Sequence, residues 1–141
     1  MLSAKRMVAL GAFALALLTT VPFAHAQRTL DAKDGAWWDQ LETQVTTAIN
    51  SPVEQIQVES LQHVIFFASN YNDKVDFSPA VPELLEIFET EQNDDIRTLA
   101  LMALRATGDR TAMERLSTVL QNEDSARIAR LTRAVLADYV G

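Results

Sequence analysis

Apolar residues recur along most of this chain at intervals of three and four positions, the spacing of one face of an α-helix. Strand-like alternation is absent, and the 141 residues include only four glycines and four prolines. Polar or glycine-containing turns separate the periodic stretches. The pattern therefore predicts six helices, at about residues 35–50, 52–69, 82–92, 96–107, 110–121 and 125–140.

Several helix ends carry recognisable capping residues. Asp34 is placed to cap the first helix, and residues 51–54 (SPVE) form a capping box with proline at the first helical position. Residues 93–95 (NDD) end the third helix and cap the fourth. Gly108 is expected to end that helix as a C-cap glycine, and Asp109 to cap the fifth.

The helical spacing also predicts which residues are buried. The predicted buried stripe of the second helix comprises Val53, Ile56, Ser60, Leu61, Val64 and Ala68. In the last helix the apolar residues are Ile128, Leu131, Val135, Leu136 and Tyr139. Nothing follows to cover the outer side of this helix, so self-association through the C-terminal helix is an expectation.

An internal repeat is visible between consecutive helix pairs. Residues 94–97 (DDIR) recur further along the chain as residues 124–127 (DSAR). The segment 51–64 aligns with the helix that residues 94–97 begin, one repeat earlier, and the loop 70–78 supplies the additional length between the two. Short connections between most neighbours favour antiparallel helical hairpins.

These repeated residues resemble bacterial HEAT repeats. The resemblance is carried by residues 81–84 (VPEL), 94–104 (DDIRTLALMAL) and 108–109 (GD), and it extends from about residue 51 to 139. Arg130 stands where the repeat has Ala100, so the sequence also admits an alignment of the last helix that is shifted by one helical turn. The resemblance implies a short α-solenoid of about two and a half to three antiparallel hairpins, of a kind that mostly serves as a protein-binding scaffold.

Residues 1–26 have the three-part layout of a secretory signal peptide. Lys5 and Arg6 precede an apolar run at residues 7–18, and residues 24–26 (AHA) offer a cleavage site. Twelve helical residues rise only about 18 Å, whereas a bilayer core is about 30 Å thick. We therefore expect a cleaved, periplasmic or secreted protein with one helical domain at residues 27–141. An uncleaved membrane anchor remains the alternative, because residues 7–26 carry no Asp, Glu, Lys or Arg.

Composition removes several classes of chemistry. The chain has no cysteine, which excludes disulfides, thiol catalysis and Cys-ligated zinc. Residues 27–141 hold 19 acidic and 10 basic residues, for a net charge of −9 that disfavours nucleic acid as a partner. The charge is uneven, since residues 27–96 hold 14 acids and three bases while residues 97–141 hold five acids and seven bases.

Residues with catalytic potential are few. His63 is the only histidine after the predicted signal peptide, and Glu59 stands one helical turn before it. This pair supplies half a metal site at most. The loop 70–78 is rich in Asn and Asp but does not match the EF-hand pattern, so a solvated polar loop is the simpler interpretation. We therefore predict no enzymatic activity, no metal and no cofactor.

The arginines of the C-terminal half have two interpretations. In HEAT-like arrays the position of Arg97 tends to pair with turn acids of the adjacent repeat, and Glu123 or Asp124 are the candidates here. Arg127, Arg130 and Arg133 lie at every third position of the last helix. They form either a solvated edge or an anchor for an acidic partner.

Apolar residues outside the predicted core stripes suggest a groove. The repeat alignment brings Phe66, Leu99 and Met102 to the same side of consecutive second helices, and such grooves bind extended or helical peptides. The alternative is that a middle repeat is apolar nearly all round because neighbours cover both its sides. Trp37 and Trp38 are interpreted first as packing residues of the opening helix.

The sequence thus predicts an exported, all-α, HEAT-like adaptor. An unidentified protein would bind at Phe66, Leu99 and Met102, with Arg127 and Arg130 as a second candidate contact. The alternative function is a ligand- or metal-binding protein, with hydrolysis included, that uses Glu59, His63 and the loop 70–78.

Overall fold

The computed structural model describes residues 29–141, and from Gly35 onward they form six α-helices without any β-strand. The helices are α1 Gly35–Ile49, α2 Glu54–Asn70, α3 Val81–Thr90, α4 Asp94–Thr107, α5 Arg110–Val119 and α6 Ala126–Val140. The predicted all-α class is confirmed for this part of the chain. The predicted signal peptide at residues 1–26 lies outside it. The described residues divide into two compact units at residue 40, and the second, residues 41–141, contains α2 to α6.

Three predicted helix boundaries are confirmed by their hydrogen bonds and backbone geometry. The backbone N–H of Trp37 donates to Asp34 Oδ1 over 2.9 Å at the start of α1. The backbone N–H of Ala112 donates to Asp109 Oδ1 over 2.8 Å at the start of α5. Gly108 ends α4 with a φ of 64°, the left-handed conformation that glycine adopts without strain.

The second helices of the last two hairpins begin in the same way. The side chain of Asn93 caps α4 by accepting from the backbone N–H of Asp95 over 2.9 Å. Ser125 caps α6 by accepting from the backbone N–H of Ile128 over 3.3 Å. The fourth helix therefore begins at Asp94, slightly earlier than its predicted start at residue 96.

The predicted capping box before α2 is wrong. The helix begins at Glu54, and its N-cap Val53 makes no side-chain capping bond. Ser51 Oγ instead accepts from the backbone N–H of Val53 over 3.2 Å, which closes a local turn. Val53 is consequently 52% exposed rather than buried, and Phe67 joins the buried stripe in its place.

The connection from α2 to α3 is more ordered than a solvated loop. Tyr71, Val75 and Phe77 are buried, and their polar neighbours point outward. The backbone N–H groups of Lys74 and Val75 both bond to the carbonyl of Tyr71, over 2.9 and 3.0 Å. A 3-10 turn at Ser78–Ala80 then leads directly into α3. Apolar burial fixes the path of this segment.

Helix α4 is central among the helices of the second unit. It packs most extensively against α2 and α3 and to a lesser extent against α6, which also packs against α5. Burial of apolar surface at these contacts is the main driving force for the fold. The largest fully buried side chains of this unit are Ile49, Leu61, Val64, Leu84, Phe88, Leu101, Leu104, Leu116, Ile128 and Thr132.

The helix starts can be compared with the repeat that the sequence alignment predicted. The N-caps Val53 and Asn93 keep the offset that the alignment predicted between α2 and α4. The alignment also pairs Asn93 with Glu123, whereas the N-cap of α6 is Ser125, so this part of the alignment is wrong by two positions. The starts of α3 and α5 are closer together in sequence than the starts of α4 and α6. The additional length corresponds to the 3-10 turn Leu120–Asn122 between α5 and α6.

The apolar stripe of α6 faces its own protein. Ile128 and Val135 are buried, Leu131 and Leu136 are half-buried, and Tyr139 is 46% exposed. The exposed positions of this helix are mainly arginine and alanine. Self-association through α6 thus stays a prediction, and most of the apolar residues that suggested it are engaged within the chain.

Candidate interaction surface

The three residues predicted to line a groove lie on two helices that pack against each other. Phe66 belongs to α2, while Leu99 and Met102 belong to α4. All three side chains are half-buried. The large hydrophobic residues that are exposed within residues 29–141 lie elsewhere, at Val53, Tyr139 and Val140. A partner at Phe66, Leu99 and Met102 would therefore meet half-buried side chains rather than protruding ones.

Phe66 is held in place by buried aromatic neighbours. Its ring meets Phe67 edge-on, with centroids 5.1 Å apart, and it meets Tyr71 at a tilt over 6.0 Å. Phe67 and Tyr71 are both buried. Edge-to-face packing of this kind fixes the orientation of an aromatic side chain. This cluster was not predicted from the sequence, although the pairing of Phe66 and Phe67 with an aromatic residue one helical turn beyond Phe67 was a usable signal.

The two arginines predicted to contact a partner have different surroundings. Arg127 bonds to Asp95 Oδ1 of α4 over 2.7 Å, in a pair that is largely exposed. Arg130 is exposed and takes part in no ion pair within residues 29–141, and the same holds for Arg133. Arg127 is thus engaged between hairpins, and Arg130 is available to solvent.

The predicted pairing of Arg97 with a turn acid is confirmed. Its two terminal nitrogens donate to the carboxylate oxygens of Glu123 over 3.1 and 2.5 Å. The Nε atom donates to the carbonyl oxygen of Phe88 over 2.8 Å, and the guanidinium lies 5.3 Å from that ring. The side chains of Arg97 and Glu123 are only 11% and 6% exposed. A bidentate pair of this kind is specific in geometry as well as in charge.

The environment of this pair favours its charged state. Hydrogen bonds from Arg97 hold the pKa of Glu123 below its usual range, against an opposing effect of burial. The same bonds raise the pKa of Arg97. Asp94 Oδ1 lies 3.5 Å from Arg97, and Asp94 Oδ2 accepts from the hydroxyl of Ser125 over 2.6 Å. The network therefore joins the first turn of α4 to the turn that precedes α6.

Two more arginine–carboxylate contacts, each with two hydrogen bonds, cross between the same hairpins. Arg115 of α5 donates two bonds of 2.7 Å to Glu89 of α3, and these bonds lower the pKa of Glu89. Arg105 of α4 bonds to Asp138 of α6 through Nε over 2.9 Å and through a terminal nitrogen. The pairs Glu89–Arg115 and Arg97–Glu123 have the same separation in sequence, a regularity that was readable in the sequence.

A cleft of about 510 Å³ opens beside these pairs. Its lining includes Glu89, Arg97, Arg115 and Glu123, together with the polar residues of the turn before α6. Each of these four charged groups already has a partner in the protein. The cleft is therefore a seam between hairpins in which both arginines are paired, and Glu91 and Asp124 add two further acidic groups to its lining.

Glu59 and His63 do not form a site with further ligands. Glu59 accepts a hydrogen bond from Gln55 Nε2 over 3.1 Å. Burial lowers the pKa of His63, and the nearby Glu59 opposes that effect. The imidazole centroid lies 6.0 Å from that of Phe67. Among residues 29–141 no group of three or more His, Cys, Asp or Glu side chains is arranged to hold a metal.

The acidic residues of the loop 70–78 have local roles. Asp76 Oδ1 accepts from the backbone N–H of Ser78 over 2.9 Å, and hydrogen bonds with Ser78 lower its pKa. Asp73 lies 3.6 Å from Lys74, and Asn70 donates to the carbonyl of Phe66 over 2.7 Å. These contacts cap and close the turn.

The two tryptophans begin α1 in the first compact unit. Their rings pack edge-on with centroids 5.0 Å apart. Trp38 is buried and Trp37 is half-buried, with the Lys33 ammonium 5.4 Å from the Trp37 ring centroid. The packing role predicted for Trp38 agrees with its burial. None of the helices in residues 29–141 is long and apolar enough to cross a bilayer.

The chain matches no protein-family model and no curated protein, and its structure matches no solved structure.

Proposed function

We propose that this protein is an exported, HEAT-like adaptor that binds a protein partner and carries out no reaction of its own. The observation that carries this proposal is the position of α4, which packs against α2 on one side and α6 on another. These are the second helices of successive hairpins. A row of second helices is the arrangement from which short α-solenoids form their binding surfaces.

Repeated side-chain contacts support a solenoid. Gln57 on α2 donates to the carbonyl of Ile49 over 3.1 Å, and Arg97 on α4 donates to the carbonyl of Phe88. Gln57 and Arg97 stand at the same position of their helices, counted from the respective N-caps. Each contact ties the first turn of a second helix to the end of the first helix in its hairpin.

The binding surface that we propose lies on α2 and α4 at Phe66, Leu99 and Met102. Half-buried apolar side chains on adjacent helices can gain further burial when an apolar segment of a partner covers them. The rigid aromatic support of Phe66 lowers the entropy cost of ordering that side chain on binding. Export is supported by the composition of residues 1–26 alone.

Affinity capture from envelope extract tests the proposal. The tagged protein is compared with a Phe66→Asp plus Met102→Asp variant, and circular dichroism checks that both are folded. A matched control, Thr111→Asp plus Ser117→Asp, adds the same charge to exposed positions of α5. We expect one partner to be retained by the parent and by the control and lost by the groove variant. A partner that binds all three proteins equally would contradict the proposed surface.

A further inference from the structure

The contact between the hairpin α3–α4 and the hairpin α5–α6 contains a concentration of carboxylates. Within residues 29–141, five polar side-chain contacts cross it, and each one uses an Asp or Glu. They are Arg97–Glu123, Arg115–Glu89, Arg105–Asp138, Arg127–Asp95 and Ser125–Asp94. In the same part of the chain, every ion pair that links different hairpins lies at this contact, which we call the charged joint.

The other side of α4 is held differently. Helix α4 packs more extensively against α2 than against α6, and no ion pair found in residues 29–141 joins α2 to α4. The covalent link at the charged joint is also short, because only Gly108 and Asp109 separate α4 from α5. Gly108 has a φ of 64°, and no atom lies within 4 Å of the position that a Cβ atom would occupy there. It is therefore a suitable pivot.

We propose that α5–α6 is a separately opening end unit, which turns about Gly108 when the charged joint loses the negative charge of Glu123, while α2, α3 and α4 stay folded. Proteins open in cooperative segments, and the segment with the least apolar burial opens first. The opening would widen the cleft beside Arg97 and Glu123 and expose the face of α4 that contacts α6.

The charge of Glu123 is the one whose loss opens the joint, because the Arg97–Glu123 pair is the least exposed of the ion pairs there. The groups that face it are Arg97 and Asp94 of α4. The wall of the same cleft also carries the Glu89–Arg115 pair and the acidic residues Glu91 and Asp124. Loss of its charge leaves the guanidinium of Arg97, whose side chain is 11% exposed, with Asp94 as its remaining acidic neighbour, and an uncompensated charge that is largely shielded from solvent is unfavourable. The pairs Arg105–Asp138 and Arg127–Asp95 are exposed, and exposed pairs contribute little.

Hydrogen–deuterium exchange with mass spectrometry on the full chain tests the proposal through a Glu123→Gln variant. Its control is Glu114→Gln, which removes the exposed Arg110–Glu114 pair inside α5 and leaves the joint intact. We expect amides of α5 and α6 to exchange about tenfold faster in Glu123→Gln, as for loss of a hydrogen bond to a charged group. Amides of α2 and α3 should be unchanged. Equal acceleration in all helices, no acceleration, or the same effect in the control would each overturn the proposal.

An acid series on the unsubstituted protein tests the charged joint as a whole, because the pKa of Glu89 is lowered there as well as that of Glu123. The pKa of Glu123 is lowered in the fold, so its contribution is complete at neutral pH and is lost as the pH falls through that lowered value. We expect the ratio of exchange in α5–α6 to exchange in α2–α3 to rise before helical circular dichroism is lost. A ratio that stays constant until the whole protein unfolds would overturn the proposal.

Discussion

Helices α4 and α6 occupy the same place in successive hairpins but differ in how many of their sides are covered. Their N-caps are Asn93 and Ser125. When these N-caps are aligned, the positions buried in both helices are Ile96 with Ile128, Ala100 with Thr132, and Ala103 with Val135. The shared stripe shows that each helix covers its own hairpin in the same way.

The difference appears on the remaining faces. Leu101 of α4 is fully buried, whereas Arg133, at the equivalent position of α6, is exposed. Thr98 of α4 is half-buried, whereas its counterpart Arg130 is exposed. A helix inside a repeat array must be apolar on two sides, and a terminal one needs a polar outer face. Arg130 and Arg133 therefore lie on a solvated face of α6.

The largest effect is expected at Leu101. We predict that Leu101→Ala lowers the free energy of unfolding by about 2–5 kcal/mol, because a fully buried leucine leaves a cavity. Arg133→Ala at the equivalent position should change it by less than about 0.5 kcal/mol. Urea denaturation measures both values. Similar losses for the two variants would contradict the assignment of α6 as the helix that is covered on one side only.

A smaller effect is expected at the end of α4. Gly108→Ala forces a side chain into left-handed backbone and should cost about 1–2 kcal/mol in thermal or urea unfolding. Gly35→Ala in α1 is the matched control, since neither glycine has a neighbouring atom that a methyl group would meet. The control should be neutral or slightly stabilising, because alanine is the better helix former. Equal losses would show that backbone conformation is not the cause.

Ala100 tests the shared stripe more finely. In α2 and α6 the equivalent residues are Ser60 and Thr132, whose hydroxyls donate to the carbonyls one helical turn earlier over 2.7 and 2.8 Å. We expect Ala100→Ser to cost less than about 1 kcal/mol in urea denaturation, because its hydroxyl can bond to the carbonyl of Ile96 in the same way. A cost of about 1–3 kcal/mol would indicate an unsatisfied buried hydroxyl and contradict the equivalence of the three positions.

The smallest change in stability is expected from Arg133→Leu, which gives α6 the residue type that α4 has at the equivalent position, Leu101. The unfolding free energy should stay within about 0.5 kcal/mol of the parent value. The new apolar surface should promote concentration-dependent association, which sedimentation velocity detects. Arg133→Gln removes the charge without adding apolar surface and serves as the control. If Arg133→Leu associates no more than the parent protein at any concentration, the polar face of α6 is not what prevents this helix from associating with another molecule.

The secondary structure was largely predictable because helical periodicity and capping residues are local properties. Asp34, Gly108 and Asp109 mark helix ends through contacts within a few positions of the chain. The pairing of Arg97 with Glu123 was predictable for another reason, since the repeat places the two residues in neighbouring turns.

The errors arise where contacts across the fold decide the outcome. The burial of Tyr71, Val75 and Phe77 depends on helices that a polar loop composition does not reveal. The alignment of residues 94–97 with residues 124–127 failed because the 3-10 turn Leu120–Asn122 lengthens one connection without changing the helical spacing.

The contact between successive hairpins is measured most directly by a double-mutant cycle on Arg97→Ala and Glu123→Ala. Each single substitution also breaks another contact, namely the bond from Arg97 to the Phe88 carbonyl or the bond from the backbone N–H of Ser125 to Glu123. The cycle cancels these separate effects and leaves the energy of the Arg97–Glu123 contact itself. We predict a coupling energy of about 1–3 kcal/mol. The exposed pair Arg110–Glu114 should give only about 0.3–0.5 kcal/mol in a parallel cycle. If the effects of Arg97→Ala and Glu123→Ala are additive within about 0.5 kcal/mol, the two hairpins are not joined as described.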